Sequence, residues 1–213
     1  MEQKSRRLNP FLIIGIALLI SSAILMGYLF FRAKAKKNRA INLEQKFEEN
    51  ISSRSSVDKK RDKYQDEADA LLESQAIGVI RIDKINVVLP VYGNTTEEAL
   101  LDGAGVVEDT NPPTSEKNTV SVLAGHRGGR NEKESFLNIH KLENGDEIKI
   151  TTKDQILYYK VVGEEIIEPT DWSKFTKEKE KTKLFLVSCH PYPYNYQRLL
   201  IEAELVENVD KDV

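Results

Sequence analysis

The feature that most constrains this chain is an uninterrupted apolar segment near its N-terminus. Residues 11–31 read FLIIGIALLISSAILMGYLFF and contain neither a charged residue nor a proline. In a helix that rises about 1.5 Å per residue, a segment of this length crosses a hydrocarbon core of roughly 30 Å. The apolar region of a cleaved signal peptide is shorter, about 7–15 residues. We therefore predict a retained transmembrane helix over 11–31, preceded by a short tail over 1–10.

Basic residues flank the apolar segment on both sides and do not settle its orientation. Three precede the segment, and five follow it within residues 32–39. A simple count of positive charges would place the C-terminal side in the cytoplasm, but long domains are translocated largely regardless of charge. The topology therefore depends on what the rest of the chain does.

The overall composition excludes several classes of protein. The 31 basic and 34 acidic residues give a net charge of -3, which argues against a strongly basic nucleic-acid-binding protein. The single cysteine excludes an intrachain disulfide framework and any structural zinc site that needs two or more thiolates. Hydrophobic residues make up 40% of the 213 positions, which is enough for a folded core. One folded domain is expected after the anchor.

Residues 32–76 predict a stalk with an N-terminal helix. Leu43, Phe47 and Ile51 recur every four residues, and apolar residues within 64–72 share one helical face. We predict two short helices on either side of the serine-rich stretch at 52–56, the second of which packs on the following domain. A dimerising coiled coil is the weaker alternative, because no heptad pattern lasts three or four repeats.

From residue 77 onwards the chain has the pattern of a β-domain, which we place at 77–207 with a C-terminal tail over 208–213. Between the second and third strands, Thr95–Glu98 forms a capping-box pattern that predicts a short helix ending near Gly103. Seven or eight strands over about 130 residues are typical of a closed all-β barrel or a sandwich. The β-rich segments lie at 77–82, 85–92, 118–125, 146–151, 156–163, 184–188 and 198–205.

Three residues at the ends of these predicted strands carry the chemical argument. Cys189, the only thiol, directly follows the apolar strand LFLVS; His126 follows the strand NTVSVLAG; and Arg198 opens the last strand. Strand ends place reactive groups on a rigid scaffold. Taken singly, each residue has an ordinary alternative: a buried structural cysteine, a loop histidine and a surface arginine.

Together, the three side chains allow acyl transfer through a thioester. A thiolate is the nucleophile, and a nearby imidazolium can stabilise it and later protonate a leaving amine. A guanidinium can donate hydrogen bonds to the oxyanion of a tetrahedral intermediate. We expect Lys substitutions at Arg127 and Arg130, in the histidine loop, to lower turnover much less than Arg198→Lys. The final acceptor, water or an amine, is not specified by these residues.

At these residues the chain resembles the sortases, the membrane-anchored cysteine transpeptidases of Gram-positive bacteria. The family's Thr-Leu-x-Thr-Cys strand has its counterpart in residues 185–189, and the family's histidine loop in residues 124–128. Arg198 matches the arginine that opens the last strand. The segments IGVIRIDKINVVLPVY, LDGAGVVEDTNPP and Glu168–Asp171 add to the resemblance. Phe185 and Ser188 depart from the family pattern, but serine keeps the hydroxyl, so activity is expected to survive.

This resemblance implies an eight-stranded barrel with catalytic residues His126, Cys189 and Arg198. The substrate would be a secreted protein with a C-terminal Leu-Pro-x-Thr-Gly (LPXTG) sorting signal, cleaved between Thr and Gly. An amine of a peptidoglycan precursor such as lipid II, or of a pilin lysine, would then resolve the thioester. Because such substrates are outside the cell, the resemblance also implies a single-pass protein with a cytoplasmic N-terminus and an extracellular catalytic domain.

The resemblance further predicts the residues that bind the substrate. They lie in the cysteine strand and in the loop that precedes it: Leu186, Val187, Ser188, Pro169, Thr170 and Trp172. For Trp172, capping of the core is an equal alternative. No cofactor is implied. Some members of the family bind calcium near acidic loops, and Glu108, Asp109 and Glu116 could contribute to such a site, although solvated loop acids are the favoured interpretation.

The sequence leaves two alternatives open, one for the sortase subclass and one for the class of function. No second apolar segment follows the barrel up to Val213, and no Asp-Pro-aromatic lid motif precedes it, which favours a class A-like housekeeping role over a pilin-polymerising class C-like role. Class B enzymes carry an extra helix before the cysteine strand. Only the short segment 168–183 stands there in this chain, so class B is disfavoured. L,D-transpeptidase-like and papain-like enzymes do not fit the motifs or the His-before-Cys order. A non-catalytic, membrane-tethered binding module with an inert Cys189 is the alternative of another class.

Overall fold

The structure, a computed structural model, describes residues 10–52, 75–128 and 136–210. Its first element is helix α1 (Pro10–Ser52), which contains the whole predicted transmembrane segment. A stretch of α1 with mean hydropathy 2.3 is long and apolar enough to cross a membrane, and none of it is buried. The chain divides into two compact units, residues 1–36 and 37–213. The predicted second stalk helix, around 64–72, lies outside the described residues.

In the second unit, eight strands close into a barrel, as the family resemblance predicts. The strand order is β1-β2-β3-β4-β7-β8-β6-β5, and β5 pairs back onto β1. The pairs β2–β3 and β4–β7 are parallel, and the other neighbours are antiparallel. The strands are β1 (Ala76–Ile82), β2 (Val87–Tyr92), β3 (Ala104–Val106), β4 (Thr119–Ala124), β5 (Glu147–Thr152), β6 (Gln155–Ile167), β7 (Thr182–His190) and β8 (Gln197–Asp210).

The predicted short helix is present as α2 (Glu97–Asp102). The hydroxyl of Thr96 caps it by accepting a hydrogen bond from the Ala99 backbone N–H at 3.4 Å, and Gly103 follows its last turn. The strand after it, β3, was not predicted, because three residues are too few to show a two-residue alternation. A Cβ at Gly105 would lie 2.1 Å from the carbonyl oxygen of Asn94, so only glycine fits this close approach.

Side chains alternate between the barrel interior and its outer faces, as expected for strands that are buried on one side. The interior of the barrel is an apolar core that includes residues from most strands. Fully buried members of this core are Ile80, Ile82, Leu123, Ile148, Ile150, Leu157, Leu184, Leu186, Leu199 and Ile201. This alternation decides which residues of β4, β7 and β8 face away from the core.

The part of α1 in the second unit packs on the outer face of the β1–β2 pair. Leu43 and Phe47, which the sequence places one turn apart, are buried against Val79 and Val88. Residues 37–52 therefore belong to the same compact unit as the barrel. The stalk as a whole stays a prediction.

A buried carboxylate joins α1 to the barrel wall. Glu44 is 2% exposed and forms ion pairs with Arg81 of β1 and Lys149 of β5. Burial by itself would raise the pKa of Glu44, but the hydrogen bonds and charges of Arg81 and Lys149 outweigh it and lower the pKa. The carboxylate is therefore ionised at neutral pH, where it holds both cations against the helix.

Candidate active site

Cys189 and Arg198 face each other across two neighbouring strands. Cys189 lies near the end of β7 and is directly opposite Arg198, near the start of β8, in the antiparallel ladder. Residues opposite each other in such a ladder project on the same face, with Cβ atoms about 4.5–5.5 Å apart. The strand pairing therefore brings the thiol and the guanidinium together, as the sequence predicts.

That shared face is the outer face of the barrel. Leu184 and Leu186 of β7 and Leu199 of β8 belong to the interior core. Because side chains alternate, Cys189 and Arg198 point away from the core. Cys189 is half-buried and in the free thiol form, so it remains accessible to a substrate.

His126 reaches the same face from β4, on the other side of β7. The parallel pairing of β4 with β7 places Ala124 beside Val187, and the Gly125 N–H extends it by donating to the Val187 carbonyl at 3.1 Å. One further step of the alternation assigns His126 to the face that carries Cys189. The order across this face is His126, Cys189, Arg198, so the structure brings the three predicted residues together.

The backbone after β4 is held in place by the buried Phe136. Its N–H donates to the His126 carbonyl at 2.7 Å, and its ring lies so close to Gly125 that a Cβ there would come within 2.6 Å of the ring. Gly125 therefore permits the contact that sets the path of the chain into His126. Residues 129–135, between these two anchor points, lie outside the described part.

Two of the predicted substrate-binding residues are buried in this structure. Leu186 is fully buried in the barrel core, so it supports the site from within and does not contact a substrate. Ser188 is 2% exposed, and its hydroxyl donates to the Gly125 carbonyl at 2.9 Å. Ser188 thereby ties the cysteine strand to the histidine strand. Val187, which is half-buried and on the outer face, can still contact a substrate.

The loop between β6 and β7 carries the other three predicted substrate-binding residues. Pro169 and Thr170 are exposed. Trp172 is also exposed and packs edge-on against Phe175, with ring centroids 5.5 Å apart, and Phe175 packs in the same way on Phe185 at 5.1 Å. Phe185 lies on the outer face of β7, so this aromatic stack brings Trp172 to the face that carries Cys189. It does not cap the interior core.

Arg198 is positioned by the backbone just before it. Its Nη1 atom donates to the carbonyls of Asn195 at 3.2 Å and Gln197 at 2.9 Å. A guanidinium has further N–H donors on Nε and Nη2. The two observed bonds orient the group while these other donors are available for a developing oxyanion.

Sequence reasoning missed the role of Arg127. It is 7% exposed, and its Nη1 atom lies 3.2 Å from the Cys189 carbonyl oxygen and 2.6 Å from Nδ1 of His190. Arg127 is therefore a buried residue that reaches β7. The expectation that Arg127→Lys has a small effect stays a prediction, and Arg130 lies outside the described residues. The available signal was its place next to His126, but a side chain that crosses to another strand cannot be read from spacing.

Metal binding has no support among the described residues. No group of three or more His, Cys, Asp or Glu side chains in them is arranged to hold a metal ion. Glu108, Asp109 and Glu116, the residues considered for calcium, are exposed in the segment between β3 and β4. Calcium binding there stays a sequence-based expectation.

Comparisons of the sequence and of the fold with known proteins both find sortases. The family model described as the sortase domain matches residues 80–206, which is more than half of the chain. Sortase A of Bacillus anthracis is 27% identical over 201 residues, covering 91% of this chain and 93% of that protein. Sortase D of Bacillus subtilis (strain 168) is 32% identical over 120 residues, which span 56% of this chain and 57% of that relative.

Solved structures with the same fold include sortases C. The crystal structure of sortase C from Streptococcus pneumoniae has a TM-score of 0.60 and 28% identity, covering 82% of this chain and 90% of that chain. The region that matches the family model, residues 80–206, contains the strand ends that carry His126, Cys189 and Arg198. With a thiol, an imidazole and a guanidinium on one face of this closed barrel, the chain belongs to the sortase family and is a cysteine transpeptidase.

Proposed function

We propose that this transpeptidase is membrane-anchored and cleaves an LPXTG-type sorting signal between Thr and Gly. The observation that carries the proposal is the register of β7 against β8, which sets Cys189 opposite Arg198 on the face that His126 shares. This arrangement supplies a nucleophile, an oxyanion donor and a proton donor for the leaving amine.

The proposed reaction has two halves. The Cys189 thiolate attacks the Thr carbonyl carbon, and Arg198 donates hydrogen bonds to the resulting oxyanion. Protonation by the His126 imidazolium releases the Gly amine as the C–N bond breaks, which leaves a thioester on Cys189. The acceptor amine then attacks the thioester carbonyl and gives a proton to His126, and the new amide leaves as the thiolate is restored. This chemistry needs no cofactor.

An apolar strip beside the catalytic residues supports a substrate with Leu and Pro side chains. Ala124 and Val187 are paired across β4 and β7 and lie directly before the histidine loop and Cys189. Both are half-buried, unlike the fully covered Val122 further along β4. A peptide whose scissile bond is at Cys189 would place its preceding residues over this strip or against the loop that carries Pro169, Thr170 and Trp172.

We further propose that α1 crosses the cell membrane once, with residues 1–10 in the cytoplasm and the barrel outside. The support is the length and hydropathy of α1 together with the extracellular location of secreted protein substrates. A membrane-impermeant maleimide should label Cys189 on intact cells after removal of the wall. The same label on cells that carry Cys189→Ala is the control. If Cys189 were labelled only after membrane lysis, the barrel would lie in the cytoplasm and the proposed orientation would be wrong.

The acceptor is proposed to be the amine of a peptidoglycan precursor such as lipid II, with a pilin lysine as the second candidate. The first follows from the class A-like subclass, which the match to sortase A of B. anthracis over 93% of that protein supports. The second has its own observation, since the similar S. pneumoniae sortase C is described in terms of pilin substrate specificity.

Competition between two acceptors tests substrate and acceptor together. The full-length chain in detergent is incubated with a Leu-Pro-x-Thr-Gly peptide and equal concentrations of a peptidoglycan stem-peptide amine and a pilin-derived lysine peptide. We expect mass spectrometry to show cleavage after Thr and a predominant product joined to the stem-peptide amine. A predominant isopeptide with the pilin lysine would select the second candidate. The proposed substrate class would be wrong if the peptide stayed intact while Cys189 reacted with a small alkylating reagent.

A further inference from the structure

Arg127 connects the histidine loop (residues 124–128) to the cysteine strand β7, on the side opposite the catalytic residues. Within that loop, Arg127 follows His126, and His190 follows Cys189 in β7. Since side chains alternate along an extended backbone, this second pair faces away from the catalytic surface. The one nitrogen Nη1 of Arg127 contacts both the Cys189 carbonyl, at 3.2 Å, and Nδ1 of His190, at 2.6 Å.

The chemistry of this contact determines the state of His190. A guanidinium can only donate hydrogen bonds, so Nδ1 of His190 accepts, and the proton of a neutral imidazole lies on Nε2. Burial, followed by the positive charge of Arg127, lowers the pKa of His190. His140 acts in the same direction, and the Glu164 carboxylate opposes both. The imidazole next to the nucleophile is therefore held neutral near pH 7.

Arg127 is buried at a cost that its contacts must offset. It is 7% exposed, and burial lowers its pKa, while the Glu164 carboxylate and Cys189 act to raise it. Within the described part of the chain, its Nε atom is buried and makes no hydrogen bond. The two bonds from Nη1 thus account for the placement of the guanidinium, and both end on residues at the nucleophile.

We propose that Arg127 is a positioning residue that ties the Cys189 carbonyl and the His190 imidazole to the histidine loop, and so holds the thiol in register with His126. This deepens the proposed transpeptidase function and rests on it for the turnover measurement. A displacement of about 1 Å between reacting groups can cost roughly 10² in rate. Arg127 follows His126 in the chain and bonds to the backbone of Cys189, so it is placed to prevent such a displacement.

Arg127→Met and Arg127→Lys give opposite expectations. Methionine keeps the apolar stem but removes both donors, and we expect kcat to fall roughly 10- to 10²-fold with little change in KM. The lysine ammonium carries three donors on one nitrogen, and both contacts of Arg127 also come from one nitrogen, so Arg127→Lys should stay within about threefold of wild type. Lys153→Met, an exposed residue at the other end of the barrel, is the matched control and should leave kcat unchanged.

Two measurements that do not use the sorting peptide separate this proposal from the function itself. In the Arg127→Met protein, iodoacetamide should alkylate Cys189 more slowly at neutral pH, and the midpoint of the pH–rate profile should move up. Long-range ¹⁵N correlations of the full-length chain in detergent should show His190 in the Nε2–H form, with a pKa that rises in Arg127→Met. Failure of peptide cleavage by every variant, with these two shifts present, would count against the substrate and not against Arg127.

His190→Ala tests the same contact without changing Arg127, so it covers the case in which Arg127→Met folds poorly, and it also completes a double-mutant cycle. His190→Ala removes one of the two acceptors, so its effect on kcat should be smaller than that of Arg127→Met, and the double variant should be no slower than Arg127→Met alone. Full additivity, or a folded Arg127→Met enzyme with unchanged kcat, alkylation profile and His190 titration, would overturn the proposal. A lowered melting temperature with unchanged values for these three readouts would make Arg127 a structural residue only.

Discussion

Cys189→Ala should abolish cleavage of a Leu-Pro-x-Thr-Gly peptide and leave the barrel folded. Cys189 is the only thiol of the chain and lies on the outer face of β7, opposite Arg198. Without it no thioester forms, and loss of a nucleophile that acts within a catalytic group lowers turnover by at least roughly 10⁴. Steady-state kinetics on a fluorogenic sorting peptide measures this loss.

The control for Cys189→Ala is a measurement that the variant is still folded. The strand pairing of Cys189 uses only its backbone, and the side chain is half-buried, so circular dichroism and the melting temperature should stay close to wild type. Intact-protein mass spectrometry should detect an acyl-enzyme in the wild type, released by hydroxylamine, and none in the variant. Turnover near the wild-type rate would refute Cys189 as the nucleophile and favour a non-catalytic binding module.

Arg198→Lys should lower kcat by at least roughly 10² with a modest change in KM, because removal of one oxyanion donor costs about 10²–10³ in turnover. Lysine keeps the charge but loses the planar fork of the guanidinium, in which one nitrogen is held by the Asn195 and Gln197 carbonyls while others can face the oxyanion. A lysine ammonium has all its donors on one nitrogen, so it cannot contact these carbonyls and also reach an oxyanion that faces a different nitrogen of the guanidinium. The same fluorogenic assay gives kcat and KM.

Arg39→Lys, an exposed substitution of the same kind on α1, is the matched control and should leave both constants unchanged. The contrast with Arg127→Lys is also informative, since both contacts of Arg127 come from one nitrogen and a lysine can replace it. A folded Arg198→Lys enzyme with only KM raised would make Arg198 a substrate-positioning residue. The backbone amides beside Cys189 would then have to stabilise the oxyanion.

The candidate catalytic residues could be picked out from the sequence because each lies next to the end of a strongly apolar strand. The strand that ends before His126, the strand that ends just after Cys189 and the strand that begins just before Arg198 are long enough to be recognised by composition and alternation. The capped helix α2 was predicted for the same reason, since Thr96 and Gly103 are local signals of a helix start and stop. Strand β3 was missed, because three residues carry no periodic signal.

Local pattern therefore determined which residues stand at strand ends, whereas the tertiary structure decided which of them meet and which face they occupy. Leu186, Val187 and Ser188 look equally suited to contact a substrate, but closure of the barrel buries Leu186 and Ser188 and leaves only Val187 on the outer face. The bonds from Arg127 to Cys189 and His190 join positions 62 and 63 residues apart. Such contacts depend on the parallel register of β4 with β7, which side-chain alternation along a single strand does not specify.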